Sequence, residues 1–109
     1  VRDVDALAGD EGVKDVLWGA LELHSKKSLD YGLGKDLLAN VRAAEEFAVP
    51  AWVGTVIRMN DKVTRIKSFL QKGTLANESL EDSLADIVVY AAIALRLYRE
   101  QSDKGAPKA

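Results

Sequence analysis

Residues Leu84 to Tyr98 read LADIVVYAAIALRLY, apolar at nearly every position except Asp86 and Arg96. The β-branched run Ile87-Val88-Val89-Tyr90 sits inside a much longer helical pattern, so the stretch reads as the centre of a helix from Glu78 to about Glu100. A helix without a polar face is normally buried on all sides. A bundle of 109 residues struggles to cover such a helix alone. The simplest remedy is a second subunit related by two-fold symmetry. A homodimer or higher oligomer built on this helix is therefore expected.

Working back from it, Gly73 reads as the stop of a preceding helix and Asn77 as the cap of the last one. That preceding helix is expected from Pro50 to Lys72, since proline suits a first helical turn and is poorly tolerated further in. Val53, Val56, Ile57, Val63, Ile66, Phe69 and Leu70 form its apolar stripe. A shorter helix is expected from about Lys35 to Phe47. The first runs from about Gly12 to Leu29, with Asp10 as cap and Val13, Val16, Leu17, Ala20, Leu21 and His24 on one face. No segment has a period-2 strand pattern. The fold expected is all-α, a four-helix arrangement with one short member. It has a single domain over 11–100 and polar ends, 1–10 and 101–109, that fray.

Composition narrows the chemistry. There is no cysteine and one histidine, which excludes disulfides, thiolate zinc sites, cysteine nucleophiles and a His-rich metal site within one chain. Carboxylates, hydroxyls, lysines and arginines remain. A net charge of −2 gives no overall drive toward nucleic acid or an anionic membrane, so neither is an expected partner. No stretch approaches the ~20 apolar residues of a membrane span. The start, Val1 to Asp5, reads as neither signal nor transit peptide, and a cytoplasmic location is expected.

The most informative residue is Asp86, a carboxylate inside the apolar helix. An unpaired buried carboxylate takes up a proton or finds a cation. Glu78, Asp82 and Asp86 recur at i, i+4, i+8 and share one helical face, where like charges repel. Mg²⁺, a hard ion that prefers oxygen ligands, is the cofactor such a stack suggests. For Glu78, Glu81 and Asp82 the plain alternative is the favourable end of the helix dipole, but Asp86 lies beyond the first turn. On the preceding helix Arg58, Asp61, Lys62 and Arg65 recur at spacings of three and four. They form either a solvated face with an Asp61–Arg65 pair or an anion site in which Asp61 helps hold a metal. Lys26, Asp30 and Tyr31 close the first helix, as a plain turn or within reach of a base or sugar. Trp18 and Trp52 read as core or interface residues and His24 as structural. Gly32 and Gly34 follow no strand and make no dinucleotide fingerprint.

Together, Asp30-Tyr31-Gly32, IRMNDKVTRIKSF from Ile57 to Phe69, and ESLEDSLADIVVYA from Glu78 to Ala91 resemble the nucleotide-modification-associated domain family. These small phage and bacterial proteins are related to the MazG-like, all-α nucleoside triphosphate pyrophosphatases. The likeness spans roughly Asp30 to Tyr98. It implies a helical dimer or tetramer, Mg²⁺ held by carboxylates on two neighbouring helices, and cleavage of a nucleoside triphosphate to monophosphate and pyrophosphate. Carried over, Asp61, Glu78, Asp82 and Asp86 are the implied metal ligands, with Asp61, Asp82 and Asp86 catalytic. Arg58, Lys62 and Arg65 take the phosphates, and Asp30 and Tyr31 the base or sugar. The chain departs from the enzymes, which carry E-E-x-x-E on the first metal helix and E-x-x-D on the second. Here Asp61 stands alone among basic residues, Glu45-Glu46 lacks its third acid because Val49 occupies that place, and the second motif has i, i+4 spacing. Arg58, Lys62 and Arg65 suit a leaving pyrophosphate, while the group that would activate water is not obvious.

Three functions follow: a Mg²⁺-dependent pyrophosphohydrolase, a non-catalytic module of the same ancestry holding a nucleotide at a subunit interface, and a structural oligomerisation domain. The last gives Asp86 and the Arg/Lys/Asp face no role.

Overall fold

A computed structural model of the chain describes residues 3–32, 38–74 and 79–104, with backbone alone at 30–32 and 39–40. It is all-helical, with no strand among the described residues. Three long helices, α1 (Glu11–Gly32), α3 (Ala51–Lys72) and α4 (Leu80–Asp103), are joined by a one-turn helix, α2 (Ala39–Arg42). Single 3-10 stretches occupy Val4–Ala6 and Ala43–Phe47.

The punctuation residues act locally. Asp10 Oδ1 accepts the Val13 N–H at 2.9 Å and caps α1. Pro50, with φ −54, opens α3, and Gly73 closes it at φ +77, a left-handed conformation that glycine adopts without steric cost. Ser79, rather than Asn77, caps α4; Asn77 and Glu78 lie outside the described residues. Ser79 Oγ accepts the Asp82 N–H at 3.0 Å, and Asp82 Oδ2 accepts the Ser79 N–H at 3.5 Å, a reciprocal capping box. The helix expected over Lys35 to Phe47 is instead α2 followed by 3-10 turns, with 33–37 outside the described residues. Pro50 disfavours helical backbone at Val49, so the chain tightens, turns through left-handed Ala48 (φ 59) and restarts.

Helices α3 and α4 form an antiparallel pair that carries most of the interhelical contact. Ala51 and Leu97 are buried with Val41 of α2, and Leu38, Trp52 and Ile93 pack around them. Trp52 meets Tyr98 edge-to-face, with ring centroids 5.6 Å apart. Two small polar side chains, Thr55 and Ser83, have no exposure at all. Thr55 Oγ1 donates to the Ala51 carbonyl at 2.9 Å, which satisfies its hydroxyl within its own helix.

The end of α4 is tied to α2 by charge. Arg42 donates from Nη1 and Nη2 to the two Glu100 oxygens at 3.1 and 2.9 Å, and Lys104 Nζ adds a 3.1 Å bond. Arg42 and Lys104 hold the Glu100 carboxyl well below its ordinary 4.5, at about 2. A depressed carboxyl contributes stability that is complete above its unfolded value and lost as pH falls through its folded value. Urea midpoints are therefore expected to fall between about pH 4.5 and about pH 2, and Glu100→Gln to flatten that slope. An unchanged slope in the variant would assign the acid response to other carboxylates.

Helix α1 departs most from expectation. Ala20 is buried, yet Val13, Val16, Leu17 and Leu21 of the same stripe are 56%, 58%, 55% and 55% exposed. Trp18 is exposed too, as are Ile57 and Leu70 of the expected α3 stripe and Leu84 and Leu95 of α4. The accessible surface is 8152 Å², against about 6,000 Å² for a compact monomer of this mass. The radius of gyration is 15.8 Å, against about 13 Å for a compact domain of this length. One chain alone leaves open the face that the sequence marks for burial.

Candidate functional site

Asp86 is buried, on the side of α4 that faces α1 and α3. It finds two cations. Lys27 Nζ of α1 lies 3.0 Å from Oδ1, and Lys62 Nζ of α3 lies 2.9 Å from Oδ2. The helical spacing explains the meeting: Ala20, His24 and Lys27 continue the apolar stripe of α1 at intervals of four and three, so its last member points inward. Burial pushes the Asp86 carboxyl up, but the hydrogen bonds and charges of Lys62 and Lys27 outweigh it and hold the carboxyl below its ordinary value. Asp86 is therefore ionised at neutral pH.

The carboxylate forms part of the wall of a small cavity of about 190 Å³. Lys27 and Arg58 give it a cationic side, His24 borders it, buried Ser28 and half-buried Tyr90 add hydroxyls, and Leu38, Val41, Val89 and Ile93 form the apolar side. Next to it runs a larger groove of about 570 Å³ between α1 and α4, walled mainly by Leu17, Leu21, Val88 and Ala92 and edged by Arg42 and Arg96. The two share His24, Leu38, Val89 and Ile93, so they are the polar and apolar ends of one cleft. The polar end alone is below the roughly 300–1,000 Å³ of a small-molecule pocket, whereas the combined cleft falls within that range.

The expected residues separate. Arg58 reaches the cavity, and Lys62 binds Asp86 from behind it. Arg65, two turns beyond Arg58, is partly buried and does not line it. Asp61 is exposed: it is one residue from Lys62, a step of 100° around the helix, and it is Lys62 that meets Asp86. Asp82 is exposed and engaged in the capping box. Glu78 and the side chains of Asp30 and Tyr31 lie outside the described residues.

The resemblance implies Mg²⁺ held by Asp61, Glu78, Asp82 and Asp86, and Glu78 lies outside the described residues. Among the described residues no three carboxylate or histidine side chains gather to hold a metal ion. Asp86 is neutralised by two ammonium groups, Asp82 caps its own helix and Asp61 faces solvent. The described carboxylates thus do not fit the expected ligand set.

Sequence reasoning gives no site role to Lys27, which suits the C-terminus of the first helix, or to Ser28, and it marks Tyr90 only as the last member of the E-S-x-x-D-x-x-x-D-x-x-x-Y pattern. For Lys27 the signal was present: a lysine at the end of an apolar stripe, with a buried carboxylate elsewhere in need of a cation. No helix among the described residues is long and apolar enough to cross a membrane. Comparisons of the chain with protein-family models, with curated proteins and with solved structures found no match.

Proposed function

We propose that the protein binds nucleotides as a non-catalytic module, with the phosphates at the cationic end of the cleft and the base and sugar along the apolar groove. The observation that carries this is the pairing of the two ends. Lys27 and Arg58 are suited to phosphate oxygens, and the groove beside them offers the larger apolar volume that a nucleoside needs. The likeness of the DYG, R-x-x-D-K-x-x-R and E-S-x-x-D-x-x-x-D-x-x-x-Y segments to the nucleotide-modification-associated family supports the same ligand class. Binding is favoured over hydrolysis because Asp61, Asp82 and Asp86 are dispersed and engaged elsewhere, so no described group is placed to activate water.

The assembly proposed is a dimer or larger oligomer that covers α1 and α4 and so roofs the groove. Its support is the excess surface of the single chain and the exposed Val13, Val16, Leu17 and Leu21. A purely structural oligomerisation domain would leave the cationic cavity without a role.

A panel of nucleoside mono-, di- and triphosphates, with and without Mg²⁺, tests the proposal by thermal shift and pyrophosphate release. The expected result is a raised Tm with at least one nucleotide and no pyrophosphate, with the shift reduced in Arg58→Gln. No shift with any member of the panel would overturn nucleotide binding. Pyrophosphate release that depends on Mg²⁺ would replace the module by the hydrolase.

A further inference from the structure

The Lys27–Asp86–Lys62 arrangement has the form of an anion site already filled by the chain's own carboxylate. Each Asp86 oxygen takes one ammonium group, at 3.0 and 2.9 Å, as two oxygens of a phosphate would. We propose that Asp86 is a built-in competitor for the phosphate end of the cleft, and that Lys27 is the arm that leaves Asp86 for a ligand phosphate. This rests on the phosphate-binding reading above and adds how that site is held in check.

The two lysines differ in a way that suits the exchange. The Lys62 side chain is 17% exposed, whereas that of Lys27 is 42% exposed and lines the cavity. Only the Lys27 end of this pair is half-exposed, on a flexible four-carbon stem, so the ammonium group that leaves Asp86 is compensated by water or by the incoming phosphate. Asp86 then keeps Lys62, so its carboxylate is not left buried and unpaired. A phosphate brings more charge and more acceptor oxygens than a carboxylate, and Arg58 on the same cavity adds a guanidinium fork. A weakly charged ligand gains too little to displace Asp86, so the carboxylate sets a threshold that favours polyphosphates over singly charged anions.

The sign of one substitution separates this from a purely structural ion pair. If Asp86 only fastens α1 to the other helices, Asp86→Asn loosens the cleft and leaves anion affinity equal or weaker. If Asp86 competes, Asp86→Asn frees Lys27 and strengthens binding. The experiment is calorimetric titration of inorganic pyrophosphate into wild type, Asp86→Asn and Lys27→Gln/Asp86→Asn, without metal. The expected result is about tenfold tighter binding in Asp86→Asn, the scale of one charge-assisted hydrogen bond no longer taken up internally, with the gain abolished in the double variant. Equal or weaker binding by a folded Asp86→Asn overturns the proposal. Should that variant not fold, the wild-type chain decides. The Asp86 side-chain carboxyl ¹³C resonance is expected to move on saturation with pyrophosphate, and an unmoved resonance overturns the exchange. Binding by wild type without a gain in the variant defeats this inference alone. No binding of pyrophosphate or any nucleotide by either form defeats the nucleotide reading as well.

Discussion

Gly54→Val is expected to destabilise the fold by about 1–3 kcal/mol, toward the upper end of what overpacking costs. Glycine 54 lies where α3 passes the 3-10 stretch, and a Cβ built there falls 2.5 Å from the Ala44 Cβ. The neighbour is a methyl on its own backbone, with no flexible tip to swing aside, so the backbone must separate. Even Gly54→Ala is expected to lose stability, although alanine is favoured over glycine in a helix by roughly 1 kcal/mol. Gly19 of α1 provides the control: nothing lies within 4 Å of its added Cβ, and Gly19→Ala is expected to gain about 0.5–1 kcal/mol. Urea denaturation of the three variants measures the order. A neutral Gly54→Val would mean that Ala44 and α3 are not in close approach. The contact matters beyond stability, because the same packing seats Val41 and Leu38 in the wall of the cationic cavity.

Leu17→Glu combined with Leu21→Glu is expected to reduce the protein to single chains. The wild type should sediment at twice 11.9 kDa or more, and the double variant at 11.9 kDa. The single chain exposes about 2,000 Å² more than a compact monomer of its mass. Standard interfaces bury about 800 Å² per partner and obligate ones more. Leu17 and Leu21 both project from α1 and line the groove against α4, so under a two-fold axis they meet partner surface twice. Burying each leucine is worth about 1.5–3 kcal/mol, and burying an unpaired carboxylate instead is opposed by desolvation. A wild-type chain that sediments as a monomer at micromolar concentration would remove the oligomer from the proposal.

What the sequence made legible was mostly local. Pro50 and Gly73 bracket α3 because ring geometry and left-handed backbone leave few alternatives. Asp10 caps α1 for the same kind of reason. Asp86 was recognisable as a carboxylate needing a cation, because one apolar helix carried it. The cation itself was not, since Lys27 is separated from Asp86 by 59 residues and only packing brings them together. The α4 cap was written as S-x-x-D at Ser79 and Asp82, but the same Asp82 fits an i, i+4 acidic ladder, and the local hydrogen bonds of the cap took it. Asp61 and Lys62 show the limit of a charge pattern without phase. The pattern marks a polar face, yet only the angle at which α3 meets α4 decides which neighbour is turned inward. The apolar stripe of α1 was readable as a stripe, while its exposure in one chain was not, because periodicity says that a face must be covered and not by which chain.

Thr55 and Ser83, the two side chains sealed completely from solvent, are small. Helices that meet over small residues come close along their backbones, and here they are joined by the short segment from Gly73 to Ser79. Closing so short a loop costs little chain entropy, so α3 and α4 make a hairpin of low contact order. Such a unit assembles early and opens last. Helix α1 comes from far along the chain and rests on fewer contacts, with a lysine paired to the hairpin's buried carboxylate. The molecule is therefore expected to be uneven in its resistance to opening, with a persistent hairpin and a first helix that detaches at lower free energy, an order that hydrogen exchange would read. A ligand or second copy seated over the cleft, as proposed, would act chiefly by raising the free energy of that detachment.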